Sequence, residues 1–306
     1  MIRFIIRRLL FGVLIMLAVT ITVFFVTRVL TDPVKVMLPV GSSQEAYDQL
    51  EASLGLDAPL GEQFVTFIGD IVRLDFGDSY WQRLPALDLV LERIPATFQL
   101  VGAGTVLAIV LFVPLGIIAS LKPGGILDRI LVTISLFGVS MPQFWLGAML
   151  IFIFSVSLGW LPTSGSGTGQ HLVLPSITLA LASGGRVAQI TRSSMIDQLN
   201  RPYVTTLKAK GMPSRRILTH HVLRNALVPI VTLAAYEIAY ALAGYAVIVE
   251  TVFAWPGIGR LAIQAVTQRD IILLQAVVFV VASLVVAVNI IADVLYKAVD
   301  PRVKLT

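Results

Sequence analysis

Cysteine is absent from this 306-residue chain, and charge is scarce, with Asp, Glu, Lys and Arg together making up 13% of it. The first absence excludes disulfides, thiolate metal sites and cysteine nucleophiles. The second is low beside the roughly 25% charged residues of an ordinary soluble domain. No G-x-x-x-x-G-K-[ST] occurs, so the chain has no phosphate-cradling P-loop of its own. Neither G-x-S-x-G nor H-E-x-x-H occurs. Two Gly-x-Gly patterns, Gly165-Ser166-Gly167 and Gly257-Ile258-Gly259, follow no strand of a βαβ unit and read as loop glycines. There is no internal repeat and no low-complexity stretch. These absences argue against an enzyme.

Apolar residues, by contrast, make up 57% of the chain. One large core could absorb many of them, but its exterior would still have to be charged. The surplus therefore belongs against lipid. The net charge of +5 could suggest nucleic acid, but the basic residues fall between apolar stretches, as they do beside membrane spans. A helix needs about 20 apolar residues to cross a bilayer core. The first candidate, Leu9 to Val29, is longer than the about 7–15-residue core of a signal peptide, and Thr31-Asp32-Pro33 offers no cleavage site. It reads as a retained anchor. Further spans are expected at Ala96–Leu121, Ile130–Leu158, Leu172–Ile190, Ala226–Val249 and Ile271–Ala292. Gly184, Gly185 and Arg186 interrupt the fourth, which is counted because the basic clusters alternate correctly only with six.

One side of the spans carries Arg3, Arg7, Arg8, Lys122 and Arg129, then Arg192 through Arg224, and finally Lys297, Arg302 and Lys304. The opposite loops are poor in Lys and Arg, which places both termini in the cytoplasm. His171 then lies on the opposite side from His220 and His221, so the three cannot form one metal site. Between spans one and two lies an acidic segment whose apolar residues (Tyr47, Leu50 and Leu54; Phe64, Phe67, Ile68 and Ile71) recur at helical spacing. The expected architecture is an all-α polytopic membrane protein of six transmembrane helices. It divides into a first span (1–30), a small extracytoplasmic helical segment (31–94) and a five-span core (95–306) with an inner loop at about 193–225.

That loop is longer than a simple connection requires. Pro202 breaks the extension of span four, Gly211 is a helix stop, and Pro213 opens the next helix. The second helix is amphipathic, with Ile217, Leu218 and Val222 among Arg215, Arg216 and Arg224. Two readings stand side by side: it lies on anionic lipid, or it docks into a partner.

Gly211 followed by His221-x-x-Arg224-Asn225-x-x-x-Pro229 resembles the coupling loop of ABC importer permeases, in the form of the dipeptide/oligopeptide/nickel group. Thr191-Arg192-Ser193-Ser194-Met195, Glu250-Thr251-Val252-Phe253-x-Trp255-Pro256-Gly257-x-Gly259, Ser140-Met141-Pro142-x-Phe144-Trp145 and Asp300-Pro301-Arg302 are similar to the same group. The long segment after span one matches the first of its two permease subunits. Where the broad pattern has Glu-Ala-Ala ahead of the glycine, this chain has Thr205-Thr206-Leu207. The resemblance implies a heterodimer with a second permease, two ATP-binding subunits or one fused, and an extracytoplasmic substrate-binding protein, in a bacterial or archaeal plasma membrane. It implies no cofactor in this chain, with ATP and Mg on the partners. It also implies that Gly211 gives the turn, that Ile217, Leu218, His221 and Val222 face an ATPase groove, and that Arg224 and Asn225 tether the loop to span five.

Ionisable residues inside spans are candidate functional sites. Arg186 and Glu237, with Gln189 and Asn289 as polar neighbours, either meet a zwitterionic cargo or pair with each other or with the partner permease to fix helix packing. Dipeptides or oligopeptides are the expected cargo, and nickel chelates, glutathione or oligosaccharides are alternatives in the same group. A secondary transporter or channel working without an ATPase would predict an inverted repeat. A membrane scaffold that recruits cytoplasmic proteins is a further alternative.

Overall fold

The computed structural model describes residues 2–30, 32–39 and 41–299; Thr31, the Asp300-Pro301-Arg302 motif and Lys304 lie outside the described residues. Among the described residues helix is the regular structure throughout, apart from one isolated bridge between Asp78 and Pro85. In hydrocarbon every backbone N–H and C=O must pair within the protein, and a helix does this within one segment.

Two compact units divide the chain. The first comprises Met1–Thr97 and Pro256–Ala287. Helix α1 (Ile2–Phe24) runs on as a π-helix over Phe25–Leu30. Four shorter helices follow: α2 (Pro33–Met37), α3 (Gln44–Ser53), α4 (Leu60–Val72) and α5 (Ala86–Leu91). The Asp32 carboxylate caps α2 by accepting from the Lys35 amide at 3.1 Å and from the Tyr47 hydroxyl at 2.9 Å. Helix α4 lies against α1 through Phe64 and Phe67, whose rings stand 5.1 and 5.5 Å from that of Phe24. Helices α5, α14 (Ile258–Thr267) and the start of α15 (Ile271–Val299) share a core of Val90, Ile258, Leu261, Leu273 and Val277. Asp270 opens α15: its carboxylate accepts from the Leu273 amide at 3.0 Å, from the Trp81 amide at 3.1 Å and from the Ser79 hydroxyl. An acid there satisfies otherwise unpaired donors of the first turn.

The second unit comprises Phe98–Trp255 and Val288–Thr306. It contains most of α6 (Ile94–Ser120), then α7 (Ile126–Ser140), α8 (Gln143–Leu150, continued by a π-helix Ile151–Ser157), α9 (Gly169–Leu199) and α10 (Pro202–Ala209). A continuous helical run, Ser214–Val252, follows. It comprises α11 (Ser214–Arg216), α12 (Leu223–Tyr240) and α13 (Ala246–Val252), joined by π-helical stretches at Ile217–Val222 and Ala241–Tyr245. Helix α9 is the centre of this unit, and small residues bring its neighbours close, as is usual between spans. A Cβ on Gly116 of α6 would stand 2.6 Å from the Ala188 carbonyl, and one on Gly185 2.6 Å from the Ser135 carbonyl of α7. Both approaches require glycine.

Four helices, Ile6–Leu30, Ala86–Ser120, Ser214–Val252 and Ile271–Val294, are long and apolar enough to cross a membrane. A fifth is added if Ile126–Gly138 and Gln143–Ser157 are taken as one broken span, bent by 102°. The third expected span, Ile130–Leu158, is thus not one straight helix. Met141, ahead of Pro142, sits in the extended region at φ −78° and ψ 130°, because a proline ring disfavours the helical conformation of the residue before it. The fourth expected span lies wholly inside α9, whose polar residues keep it out of that set.

Candidate functional site

The loop around Gly211 is built by local signals. Pro202 occupies the start of α10, where its missing N–H is not needed. The helix closes on Gly211 at φ +75°. There the Gly211 amide donates to the Lys208 carbonyl at 2.9 Å and the Met212 amide to the Leu207 carbonyl at 3.1 Å. This double bond pattern, with Leu207 and Met212 both turned to one apolar cluster, is a glycine-terminated helix end. Pro213 then precedes α11 in an extended conformation.

The helix after the turn presents a different face from the expected one. Ile217 and Val222 are 2% and 0% exposed, buried with Met195, Val204 and Ala226 in the chain's own cluster. They are not available to a groove on another subunit. Leu218 is half-buried against the same cluster. The cause is the π-helix at Ile217–Val222. In an α-helix residues five apart are separated by about 140°, but the wider i→i+5 turn brings them towards one side. Arg215, Arg216, Thr219, His220, Arg224 and Asn225 are exposed, and His221 is half-buried. Arg216, His220, His221, Arg224 and Asn225 line an open hollow of about 460 Å³. Asn225 Nδ2 donates to the Tyr203 hydroxyl at 3.5 Å, and that hydroxyl donates to Gln198 Oε1 at 3.1 Å, so Asn225 ties α12 to α10 and α9.

Further along the same run, Glu237 meets Arg186 of α9. The guanidinium holds both carboxylate oxygens, Nε to Oε1 at 2.6 Å and Nη2 to Oε2 at 2.7 Å. Their side chains are 5% and 30% exposed respectively. Two parallel charge-assisted hydrogen bonds of this kind are the strong form of an ion pair. The Arg186 guanidinium also stands 5.9 Å from the Tyr245 ring centre. Tyr245 meets Tyr240 edge-on at 4.5 Å, and Tyr240 stacks on Tyr236 at 5.7 Å. Gln189 is half-buried one turn after Arg186 on α9, and Asn289 is exposed on α15. Of the four intramembrane polar residues singled out in the sequence, the structure joins Arg186 to Glu237.

Sequence reasoning missed two features. Tyr236, Tyr240 and Tyr245 were read only as part of a span, although the spacing of four between the first two was visible. A second pair joins Arg192 of α9 to Asp128 of α7, with the Gly124 amide donating to Asp128 Oδ2 at 2.8 Å. Its partners lie too far apart in sequence for any local signal. No cluster of three or more metal-ligating side chains is found among the described residues.

Residues 112–305 match the family of binding-protein-dependent transport system inner membrane components, and residues 1–101 match the N-terminal region of such components. The chain belongs to this family of ABC importer permeases. It is 36% identical over 316 residues to the oligopeptide transport system permease protein AppB of Bacillus subtilis (strain 168), covering 99% of this chain and all of the relative. It is likewise 36% identical over 305 residues to the glutathione transport system permease protein GsiC of Escherichia coli (strain K12), covering 99% of both. In fold, 69% of the chain matches 96% of a chain of the MetNI methionine ABC transporter in an inward-facing form, with a TM-score of 0.60 at 20% identity.

Proposed function

We propose that the chain is one of two membrane-embedded halves of an ATP-driven importer of dipeptides or oligopeptides. The observation that carries this reading is the match to AppB along the whole length of both chains. In this reading six spans place both termini and the Gly211 loop in the cytoplasm and residues 31–94 outside, below a docked substrate-binding protein. The second permease subunit completes the passage, and ATP with Mg is bound and hydrolysed on one fused or two separate partner subunits. The chain itself hydrolyses nothing.

The geometry supports such a lever. Ser214–Val252 is one continuous helical run of 39 residues, so a force applied beside Gly211 reaches Glu237 without crossing a loop. Burial of Ile217 and Val222 anchors the base of that lever to α9 and α10. The exposed face, with Arg215, Arg216, Thr219, His220, His221 and Arg224, is what remains for an ATPase to grip. Movement of the run relative to its neighbours would open the passage to one side and then the other. Glutathione, a short peptide itself, is the second reading, favoured by the equal identity to GsiC.

Reconstitution tests the proposal. The chain, its second permease, ATPase and binding protein in liposomes should accumulate radiolabelled tri-alanine or glutathione only with ATP. Flux through this chain alone, without nucleotide, would contradict it.

A further inference from the structure

One face of the Ser214–Val252 run has no role in the mechanism above. Along α12 the exposed residues Asn225, Pro229, Thr232, Tyr236 and Tyr240 succeed one another at steps of three or four. Residues at these steps lie one above another on a helix, so they form a single stripe. The π-helical turn at Ala241–Tyr245 extends it to exposed Ala243. Ala226, Ile230 and Glu237 on one flank of the stripe are buried, whereas the far side carries the exposed apolar residues Leu227 and Val231. Tyr236 and Tyr240 are 55% and 42% exposed, and both fall near the middle of the stretch 226–249 expected to cross the bilayer. Tyrosine settles at the two headgroup levels of a membrane, not at its centre. A hydroxyl taken into hydrocarbon without a partner costs roughly 2–7 kcal/mol. Thr232 satisfies its hydroxyl on the Val228 carbonyl at 2.9 Å and Asn225 precedes the stretch 226–249, so the case rests on the two mid-span tyrosines, which do not belong against lipid.

The aromatic part of the stripe connects to the ion pair. Tyr236 stacks on Tyr240, Tyr240 meets Tyr245, and Tyr245 lies beside the Arg186 guanidinium. Glu237 closes both carboxylate oxygens on that guanidinium, so the pair is satisfied internally. It offers no free charge to hold a peptide terminus.

We propose that this stripe is the wall along which an extended peptide passes. Tyr236 and Tyr240 offer ring faces to the planar amide groups of the cargo and hydroxyls to its N–H and C=O groups. The neutralised Arg186–Glu237 pair behind them prevents either terminus from being trapped. Such a wall reads main chain and ignores side chains, as aromatic platforms do for stacked bases whatever their sequence. The inference rests on the importer reading and names the cargo-contacting surface within it.

The cysteine-free chain permits a direct test. Single variants Thr232→Cys, Tyr236→Cys and Tyr240→Cys, with Val110→Cys on the exposed apolar face of α6 as the lipid control, are assembled into the complete importer in liposomes. A charged, water-soluble thiosulfonate should modify the stripe thiols about tenfold faster than the Val110→Cys thiol, because only a hydrated thiol ionises readily. Tri-alanine supplied with binding protein and ATP should slow that reaction at least about twofold, as partial occupancy of a site requires. Thr232→Cys, the mildest change, carries the test if the tyrosine variants fail to assemble. Thiols as slow as the control in every nucleotide state would overturn the proposal. So would thiols that a short bifunctional reagent links to the second permease subunit while the thiosulfonate never modifies them. Uptake of tri-alanine by the parent complex is scored separately: its loss would refute the importer reading, whereas uptake with unreactive stripe thiols would refute the wall alone.

Discussion

Helix α9 carries two arginines that close on carboxylates of neighbouring helices, and the two pairs lead to different surroundings. Arg192 holds Asp128, whose second oxygen also accepts from the Gly124 amide at 2.8 Å. That carboxylate is fully engaged, and the pair fastens the turn before α7 to α9. Arg186 holds Glu237 just as completely, yet its guanidinium lies next to Tyr245 and, through Tyr240, an exposed aromatic surface. The side chains of both acids are 5% exposed. Burial and charge alone therefore do not distinguish a latch from a pair that backs a passage. What surrounds the pair does.

The largest expected effect is on the latch. Asp128→Ala strands Arg192 beside a donor it cannot pair with and should cost about 3 kcal/mol, read as thermal unfolding of the purified complex. Uptake should fall only in proportion to the amount of folded complex. Glu237→Gln should cost less stability, about 2 kcal/mol, but lower uptake per folded complex by about tenfold, which is about 1.4 kcal/mol of transport barrier. Equal behaviour of the two variants, uptake normalised to folded protein, would erase the contrast. Gly185→Ala drives a methyl onto the Ser135 carbonyl and should cost about 1–3 kcal/mol, weakening both pairs together because α9 shifts as a body. Gly211→Val strains a left-handed position at φ +75° by about 1–2 kcal/mol. It should uncouple ATP hydrolysis from uptake while a double-mutant cycle on either ion pair stays unchanged.

The smallest effect belongs to an exposed counterpart. Burial pushes the Asp32 carboxyl up, but hydrogen bonds from the Lys35 side chain and amide and from Tyr47 outweigh it, and its pKa is lowered. A depressed folded value contributes stability above the ordinary carboxylate pKa of about 3.9, and that contribution is lost as pH falls through the folded value. Acid titration of the 32–94 segment should therefore show a loss below about pH 4, worth under about 1 kcal/mol and absent in Asp32→Asn.

Much of this was legible in order along the chain. Apolar runs located the long helices but not their full lengths, since α9 and the Ser214–Val252 run extend well beyond the apolar stretches, and Gly211 and Pro202 marked the loop because their backbone limits act locally. Arg186 and Glu237 were visible as charges out of place, with pairing to each other as one of two readings, and the structure closes that pair. The resemblance turned Ile217, Leu218, His221 and Val222 towards a partner's groove, whereas Ile217 and Val222 lie inward in the chain's own cluster, along the π-helical stretch Ile217–Val222. No propensity in those six residues announced it. Pro142 stood inside a quoted motif, but its 102° consequence for the third span depends on what surrounds it. The latch between Asp128 and Arg192 is a tertiary fact, and no periodicity reports one.

The central claim is that the exposed face beside Gly211 is gripped by an ATP-hydrolysing partner and passes its motion into the Ser214–Val252 run. Thr219→Cys and His220→Cys, placed singly in the cysteine-free chain and treated with a short bifunctional reagent in the assembled importer, measure this directly. The account predicts cross-links to the ATPase whose yield changes when ATP binds. Thiols that meet only lipid or water, in every nucleotide state, would contradict it.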